Sequence, residues 1–406
     1  MPDFRQGSMI ATLHMLGEEG FPKIERELID LRRRHRTTVV IPALFSDFAR
    51  PAMKQILRVL EEVEFIQQIV IALGGTSASE FQAAKAEVKN HPLSVTLLWM
   101  DNPRLRKLLK KIQDADLYLG PDGKGKSCWT SFGFVLAQGR TQVIALHDSD
   151  IKTYSKEMLA RLIYPVVNPN LTFLFSKGYY ARFTTKLHGR VTRLFIAPLF
   201  HALETVVGAH PFLRYLNAFR YPLAGEFALD VDLVRVIRFP GDWGLEVTTL
   251  YEIYRNIAEK RICQVEIARQ YDHKHQALSP KDSGTGLHKM VLDISLNILK
   301  NLSAEGIVLS WGLLKTLQKT YRKSAEDIIA NYHADAMING LTFDRHEEES
   351  YVDTFTRALI TASERFLRDP VGPRMLPNWN RITSAYPDFL AQLLEIVSAD
   401  NDREAV

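Results

Sequence analysis

The chemically richest stretch of the chain is His147-Asp148-Ser149-Asp150, directly after the apolar run Val143-Ile144-Ala145-Leu146. At an extended strand end, positions i and i+2 point the same way. Asp148 and Asp150 can therefore address one hard divalent cation, Mg2+ or Mn2+, together with a diphosphate or ribose attached to it. On spacing alone an Asp-x-Asp is more often a solvated turn. Its place after a buried strand favours the metal, because open parallel sheets bind ligands at the carboxyl ends of their strands. Tyr271-Asp272-His273-Lys274-His275 follows the strand-like run at residues 262–267. An imidazole there, His273, can complete the same coordination, although a lone histidine is more commonly a packed or solvated side chain.

Four further stretches carry charge beside glycine. Gly120-Pro121-Asp122-Gly123-Lys124-Gly125-Lys126-Ser127 formally satisfies the phosphate-loop pattern, with Lys126 as its lysine. That reading, a nucleoside triphosphatase, requires a buried strand immediately before the loop, whereas Lys110-Lys111-Ile112-Gln113-Asp114-Ala115-Asp116 leads in. A glycine-rich turn with Lys124 at a helix start still offers positive charge and N–H groups to a phosphate. Gly189-Arg190-Val191-Thr192-Arg193 opens a helix, so the Arg190 fork and the Thr192 hydroxyl can hold a phosphate or carboxylate, or form an ordinary helix start. Leu223-Ala224-Gly225-Glu226 and Asp242-Trp243-Gly244-Leu245-Glu246 place carboxylates where the backbone can approach a sugar closely, and are equally readable as a turn and a capped helix. Asp344-Arg345-His346-Glu347-Glu348-Glu349 reads as a solvated helix start.

The elements that would position these groups follow from hydrophobic periodicity. Residues 38–43, 66–73, 95–100 and 143–146 are short β-branched runs. The intervening segments 53–63, 80–89, 104–112 and 128–138 carry helical spacing. The order β-α-β-α-β-α-β implies an α/β fold around an open, mostly parallel, Rossmann-like sheet. Further strands are expected at 171–175 and 262–267, with a helix at 193–207. After Gly286 only helical patterns remain, at 290–302, 313–332, 351–367 and 387–397. The expected divisions are an N-terminal helical arm over 1–36, a catalytic domain over 37–278 and an all-helical C-terminal region over 279–406. The length of 406 residues, 46% hydrophobic, supports a sizeable core, and the net charge of +4 argues against a dedicated nucleic-acid binder. Two cysteines, Cys128 and Cys263, exclude a disulfide scaffold. No apolar run has the length of a membrane span, so a soluble cytoplasmic enzyme without membrane or nucleic-acid partners is expected. The apolar tail points to a homodimer.

Taken together, Pro42-Ala43-Leu44, Gly123-Lys124-Gly125, Asp148-Ser149-Asp150, Gly189-Arg190-Val191-Thr192, Pro222-Leu223-Ala224-Gly225-Glu226, Gly244-Leu245-Glu246 and His273 form an ordered series. It resembles retaining glycosyltransferases of the GT-A fold, and most closely the glucosyl-3-phosphoglycerate synthases with their mannosyl relatives. The resemblance spans about residues 38 to 278. It implies metal-dependent transfer of a hexose, glucose first and mannose as the alternative, from a nucleotide sugar such as UDP-glucose or GDP-mannose. The acceptor would be the 2-hydroxyl of 3-phosphoglycerate or a related glycerate. By the same resemblance, Pro42, Ala43, Leu44, Asp47, Lys124, Asp148, Ser149, Gly225 and Glu226 bind the donor, and Asp150 and His273 bind the metal. Gly189, Arg190, Thr192 and His275 bind the acceptor, while Asp150, Glu246 and Lys124 act in catalysis. The chain departs from its relatives at Phe45-Ser46-Asp47, where they usually carry Asn-Glu. It departs again at Gly74-Gly75-Thr76, in place of an acidic-serine turn, and at His275, in place of an asparagine. A non-enzymatic nucleotide-sugar-binding module, a phosphate-loop triphosphatase, and a covalent route through Glu226 are the competing expectations.

Overall fold

The β-branched runs pair into strands that are apolar on both sides, and such strands need helices on both faces of their sheet. The computed structural model describes residues 6, 9–17, 20–273, 286–371 and 374–402. Its strands are β1 (Ala11–Leu13), β2 (Thr37–Leu44), β3 (Gln68–Gly74), β4 (Ser94–Trp99), β5 (Val143–Leu146), β6 (Phe175–Tyr180), β7 (Phe227–Asp230), β8 (Phe239–Pro240), β9 (Ile262–Ala268) and β10 (Met375–Leu376). Eight of them form one sheet in the order β1-β9-β6-β7-β5-β2-β3-β4, parallel throughout except for the pairs made by β7. Along β2, Val39, Ile41 and Ala43 face one core and Val40 the other. The first core is closed by the helices Gly20–Leu31, Pro51–Glu61, Ala78–Val88 and Lys156–Val167. The second contains Pro103–Asp114, Lys124–Gln138, Ala197–Val207 and the C-terminal helices.

β2 and β5 part at the carboxyl edge for a local reason. The Val40 carbonyl accepts from His147 N, so the even residues of β2 turn their backbone groups toward β5. The next even residue is Pro42, which has no N–H to donate, and the ladder stops at Val40↔Leu146. The gap that opens there is where Asp148 emerges. β7 runs the opposite way on the other side of β5, with Leu146 opposite Phe227. Continuing that register sets Glu226 and Gly225 against His147 and Asp148, so the start of one strand faces the ends of its neighbours.

Four expectations are corrected. The N-terminal segment is not one helical arm: Ala11–Leu13 adds a strand to the edge of β9, and the described helix runs over Gly20–Leu31. The strand expected at 171–175 lies at Phe175–Tyr180, because residues 168–172 form a turn in which Thr172 takes φ 58°. β7 has no counterpart among the expected strands. The C-terminal region is not all helical, since Met375–Leu376 pairs with Phe239–Pro240.

Nor does the tail form a core of its own. The helices Gly286–Ala304, Trp311–Ile338 and Arg345–Arg368 pack in one continuous apolar cluster with the helix Ala197–Val207 and one sheet face. Trp379 stacks on Trp129 at 4.2 Å between ring centres, over Gly133, where a Cβ would lie 2.0 Å from the indole. The helix Phe389–Asp402 lies along β4, and the Asn401 side-chain amide both accepts from Leu97 N and donates to Leu97 O, at 3.0 and 2.9 Å. No helix among the described residues is long and apolar enough to cross a membrane. Trp379→Ala is expected to destabilise the protein by about 3–5 kcal/mol, measured as a lowered urea midpoint, with Trp379→Phe recovering most of the loss.

Candidate active site

The site forms along the carboxyl edge of the sheet, from the ends of β2, β5 and β9 and the start of β7. Lys124, the first residue of the helix Lys124–Gln138, reaches Asp148 at 2.6 Å and Glu246 at 3.1 Å. Burial opposes the lysine's charge, but Asp148 and Glu246 outweigh it and hold the ammonium well above its ordinary pKa. Asp148 is drawn the other way: burial favours its neutral form, and Lys124 overrides that to keep the carboxylate ionised. Asp150 has no such lysine. Burial, then repulsion from Asp148, pushes its carboxyl up to about 7. The turn after β9 is tied to the turn after β5 by the Ile151↔His273 bridge and by Lys152 N donating to Asp272 O at 2.9 Å. One ligand atom from each of Asp148, Asp150 and His273 then lies within 4.8 Å of the others. Two carboxylates and an imidazole at this separation, with an excess of negative charge, suit a hard divalent cation.

Glycine is required at 225, where a Cβ would stand 2.5 Å from Asp148 Oδ2. Glu226, expected to touch the donor, is instead fully buried beneath the site. Its two oxygens accept hydrogen bonds from the hydroxyls of Tyr271 at 2.6 Å and Tyr180 at 2.8 Å. Burial raises its pKa and the two phenols oppose the rise. Lys177 lies nearby, buried, with its ammonium donating to Ala224 O at 2.5 Å, and burial brings it down to about 8. Lys177 and the two tyrosines were missed from the sequence. Lys177 looks like a solvent-facing residue in its strand, and Tyr271 was passed over for the histidine two positions on.

Pro42, Ala43 and Leu44 line the end of β2, with Leu44 54% exposed, and Asp47 follows in a short helix, paired to Arg50 at 3.0 Å. Ser149 is buried between the two aspartates. Gly189 takes φ 70° and packs against the Tyr221 hydroxyl. Arg190 starts a helix whose next turn, Thr192–Ile196, is widened to a π-helix before α-helical geometry resumes at Ala197. Such turns leave carbonyls poorly satisfied, and the Leu194 carbonyl accepts here from Tyr321 of the tail at 2.8 Å. A run of rings joins this loop to the acidic cluster: Tyr221 on Tyr180 at 4.9 Å, Tyr180 on Tyr271 at 3.7 Å, and Tyr271 against His273 at 5.4 Å. His275 lies outside the described residues. The triphosphatase reading of Lys126 fails on structure. Its loop follows the helix Pro103–Asp114 with no strand between, and the Lys126 ammonium is buried against Asp122 at 2.9 Å. The helix starts at Arg345 as expected, capped by Asp344, but Glu348 is buried rather than solvated.

The α/β/α sandwich thus carries an Asp-x-Asp at the end of β5, a lysine bridging it to a second acidic residue and an opposed histidine, a site suited to a divalent cation and the anion attached to it. No protein-family profile matches the chain. It is 41% identical over 401 residues, 99% of both chains, to a glucosyl-3-phosphoglycerate synthase of Persephonella marina. A second of that name, from Methanococcoides burtonii, is 38% identical over 403 residues, 98% of both. The chain belongs to the glucosyl-3-phosphoglycerate synthase family. The fold is also that of a solved glucosyl-3-phosphoglycerate synthase from Mycobacterium tuberculosis in complex with Mn2+, UDP-glucose and phosphoglyceric acid. That match has TM-score 0.52 and 20% identity, covering 74% of this chain and 89% of the other. Gly225→Ala is expected to displace Asp148 and lower kcat about a hundredfold while the far-UV circular dichroism stays that of the parent protein.

Proposed function

We propose that the enzyme transfers glucose from UDP-glucose to the 2-hydroxyl of 3-phosphoglycerate, with retention of configuration and with a divalent cation. The observation that carries this reading is the meeting of Asp148, Asp150 and His273 beside the Lys124 ammonium. Both near-full-length relatives bear the glucosyl name, which favours glucose over the mannosyl alternative. The solved M. tuberculosis relative holds Mn2+, UDP-glucose and phosphoglyceric acid together, which supports the same three partners here.

Asp150 and His273 would hold the cation, with Asp148 on the nucleotide side. Once bound, the cation neutralises charge on the departing diphosphate. Lys124 supplies a fixed positive charge to the same oxygens, pre-organised by two carboxylates that need no reorientation during reaction. Pro42, Ala43 and Leu44 form the wall for the base, and Asp47 and Ser149 border the donor. Glu246, on the first turn of the helix Leu245–Asn256, accepts hydrogen bonds from sugar hydroxyls while steering Lys124. The loop at Gly189, with Arg190 and Thr192, grips the acceptor's phosphate, so that orientation supplies much of the rate. With its two oxygens engaged by tyrosines and its surface buried, Glu226 is placed to support the site rather than to attack the sugar. This favours transfer on the leaving-group face.

Purified protein incubated with Mg2+, UDP-glucose and 3-phosphoglycerate should release UDP only when the acceptor is present. The product's anomeric coupling in proton NMR should be that of the α-glucoside. Asp150→Ala should lower kcat by a factor on the order of a thousand without unfolding the protein. Full turnover by that variant, or in the presence of excess chelator, would overturn the metal role, and a β-linked product would overturn retention.

A further inference from the structure

The helix Arg345–Arg368 does more than complete the core, because its first two turns and the residues just before it are built into the loop that carries Arg190. Three layers of contact join them. The backbone is stitched by Thr342 N donating to Thr185 O at 2.8 Å, with the Thr342 hydroxyl donating to the same carbonyl at 3.0 Å. Beneath the loop, the buried Arg193 guanidinium makes two parallel bonds to Glu348, at 2.7 and 3.0 Å, and its Nε donates to His188 O at 2.8 Å. On top, the Arg190 guanidinium stacks on the Tyr351 ring at 4.6 Å and one of its nitrogens donates to the Tyr351 hydroxyl. That hydroxyl in turn donates to Glu347 Oε1 at 2.9 Å, and the other Glu347 oxygen takes Lys186 from the loop at 3.4 Å.

We propose that Tyr351 is a positioning residue for the acceptor: it holds the Arg190 guanidinium for an acceptor that carries a phosphate, and so lets the helical extension discriminate phosphorylated from unphosphorylated glycerates. This rests on the reading of the Gly189 loop as the acceptor site. An exposed arginine samples many rotamers, and ordering them on binding costs affinity. A ring under the face of the fork removes that freedom beforehand, and its N–H groups lie in the guanidinium plane, where phosphate oxygens bind two at a time. Tyr351, itself buried, is fixed by Glu347 one helical turn before it, so the arrangement is rigid down to the helix backbone.

The test is steady-state kinetics with UDP-glucose and either 3-phosphoglycerate or glycerate, on Tyr351→Leu, Tyr351→Phe and Arg190→Ala. Tyr351→Leu should raise KM for 3-phosphoglycerate roughly tenfold. It should leave kcat, the KM for UDP-glucose and the KM for glycerate at parent values. Tyr351→Phe keeps the ring and loses the hydroxyl, so its KM for 3-phosphoglycerate should rise roughly threefold. A merely structural role would instead lower the melting temperature and kcat while leaving the preference between the two acceptors unmoved, and that result overturns the proposal. If Arg190→Ala raises KM for 3-phosphoglycerate while both Tyr351 variants match the parent, the proposal falls and the acceptor loop stands. If Arg190→Ala also matches the parent, the acceptor loop is wrong and the proposal falls with it. Should Tyr351→Leu fail to fold, Tyr351→Phe decides, and an unchanged KM for the phosphorylated acceptor overturns the proposal.

Discussion

One ammonium held between two carboxylates is the contact on which the rest of the site depends. Lys124 touches Asp148 and Glu246, and two more acids, Asp150 and Glu226, lie close enough for Asp148 to raise the pKa of each. Four acidic groups gathered in a partly dry crevice repel one another unless each has a distinct means of accommodation. Asp148 and Glu246 have the lysine, and Glu226 has two phenols. Asp150 has neither, and burial, then repulsion from Asp148, lifts its carboxyl to about 7 from the usual acidic range. The lysine thus separates the cluster into acids that are already neutralised and one that is kept ready for an incoming positive charge. The elements around it serve that division. Pro42 opens the gap beside β5, β7 brings Gly225 under Asp148, and the tyrosine stack keeps Glu226 from competing for the same partners.

Much of this was legible in the sequence where chemistry and periodicity coincide. The runs that became β2, β3, β4 and β5 are apolar on both faces, so their order alone gave the sheet, and Asp148 and Asp150 could be placed at a strand end. What escaped was whatever depends on pairing. β7 is only Phe-Ala-Leu-Asp, too short to show a period, and its significance lies in a register that sets Gly225 opposite Asp148. Lys177 inside β6 breaks the apolar pattern that marks a buried strand, and its reason for being there, the Ala224 carbonyl, is 47 residues distant. The burial of Glu226 escaped for a related cause. A glutamate beside a glycine resembles a sugar-binding group until the two hydroxyls that enclose it are seen. At the N-terminus the helical spacing was real but began too early, because Ala11–Leu13 could pair with the open edge of β9.

The C-terminal region shows how distant sequence shapes a local site. A π-turn after Thr192 widens the helix and strains its own hydrogen bonding, and the Tyr321 hydroxyl, from a helix more than a hundred residues later, meets the Leu194 carbonyl there. Glu348 does the same for Arg193, whose charge would otherwise be buried without compensation. Neither the loop nor the tail would satisfy its own polar groups alone.

The amide of Asn401 imitates, with a single side chain, the backbone of an adjoining strand: it gives and takes one hydrogen bond at Leu97, near the middle of outermost β4. A rung already occupied cannot template another chain, so strand addition along this border, of the sort that leads to fibrils, is interrupted at Leu97. A strand from another copy would have to displace Asn401 from Leu97 before it could run the length of β4.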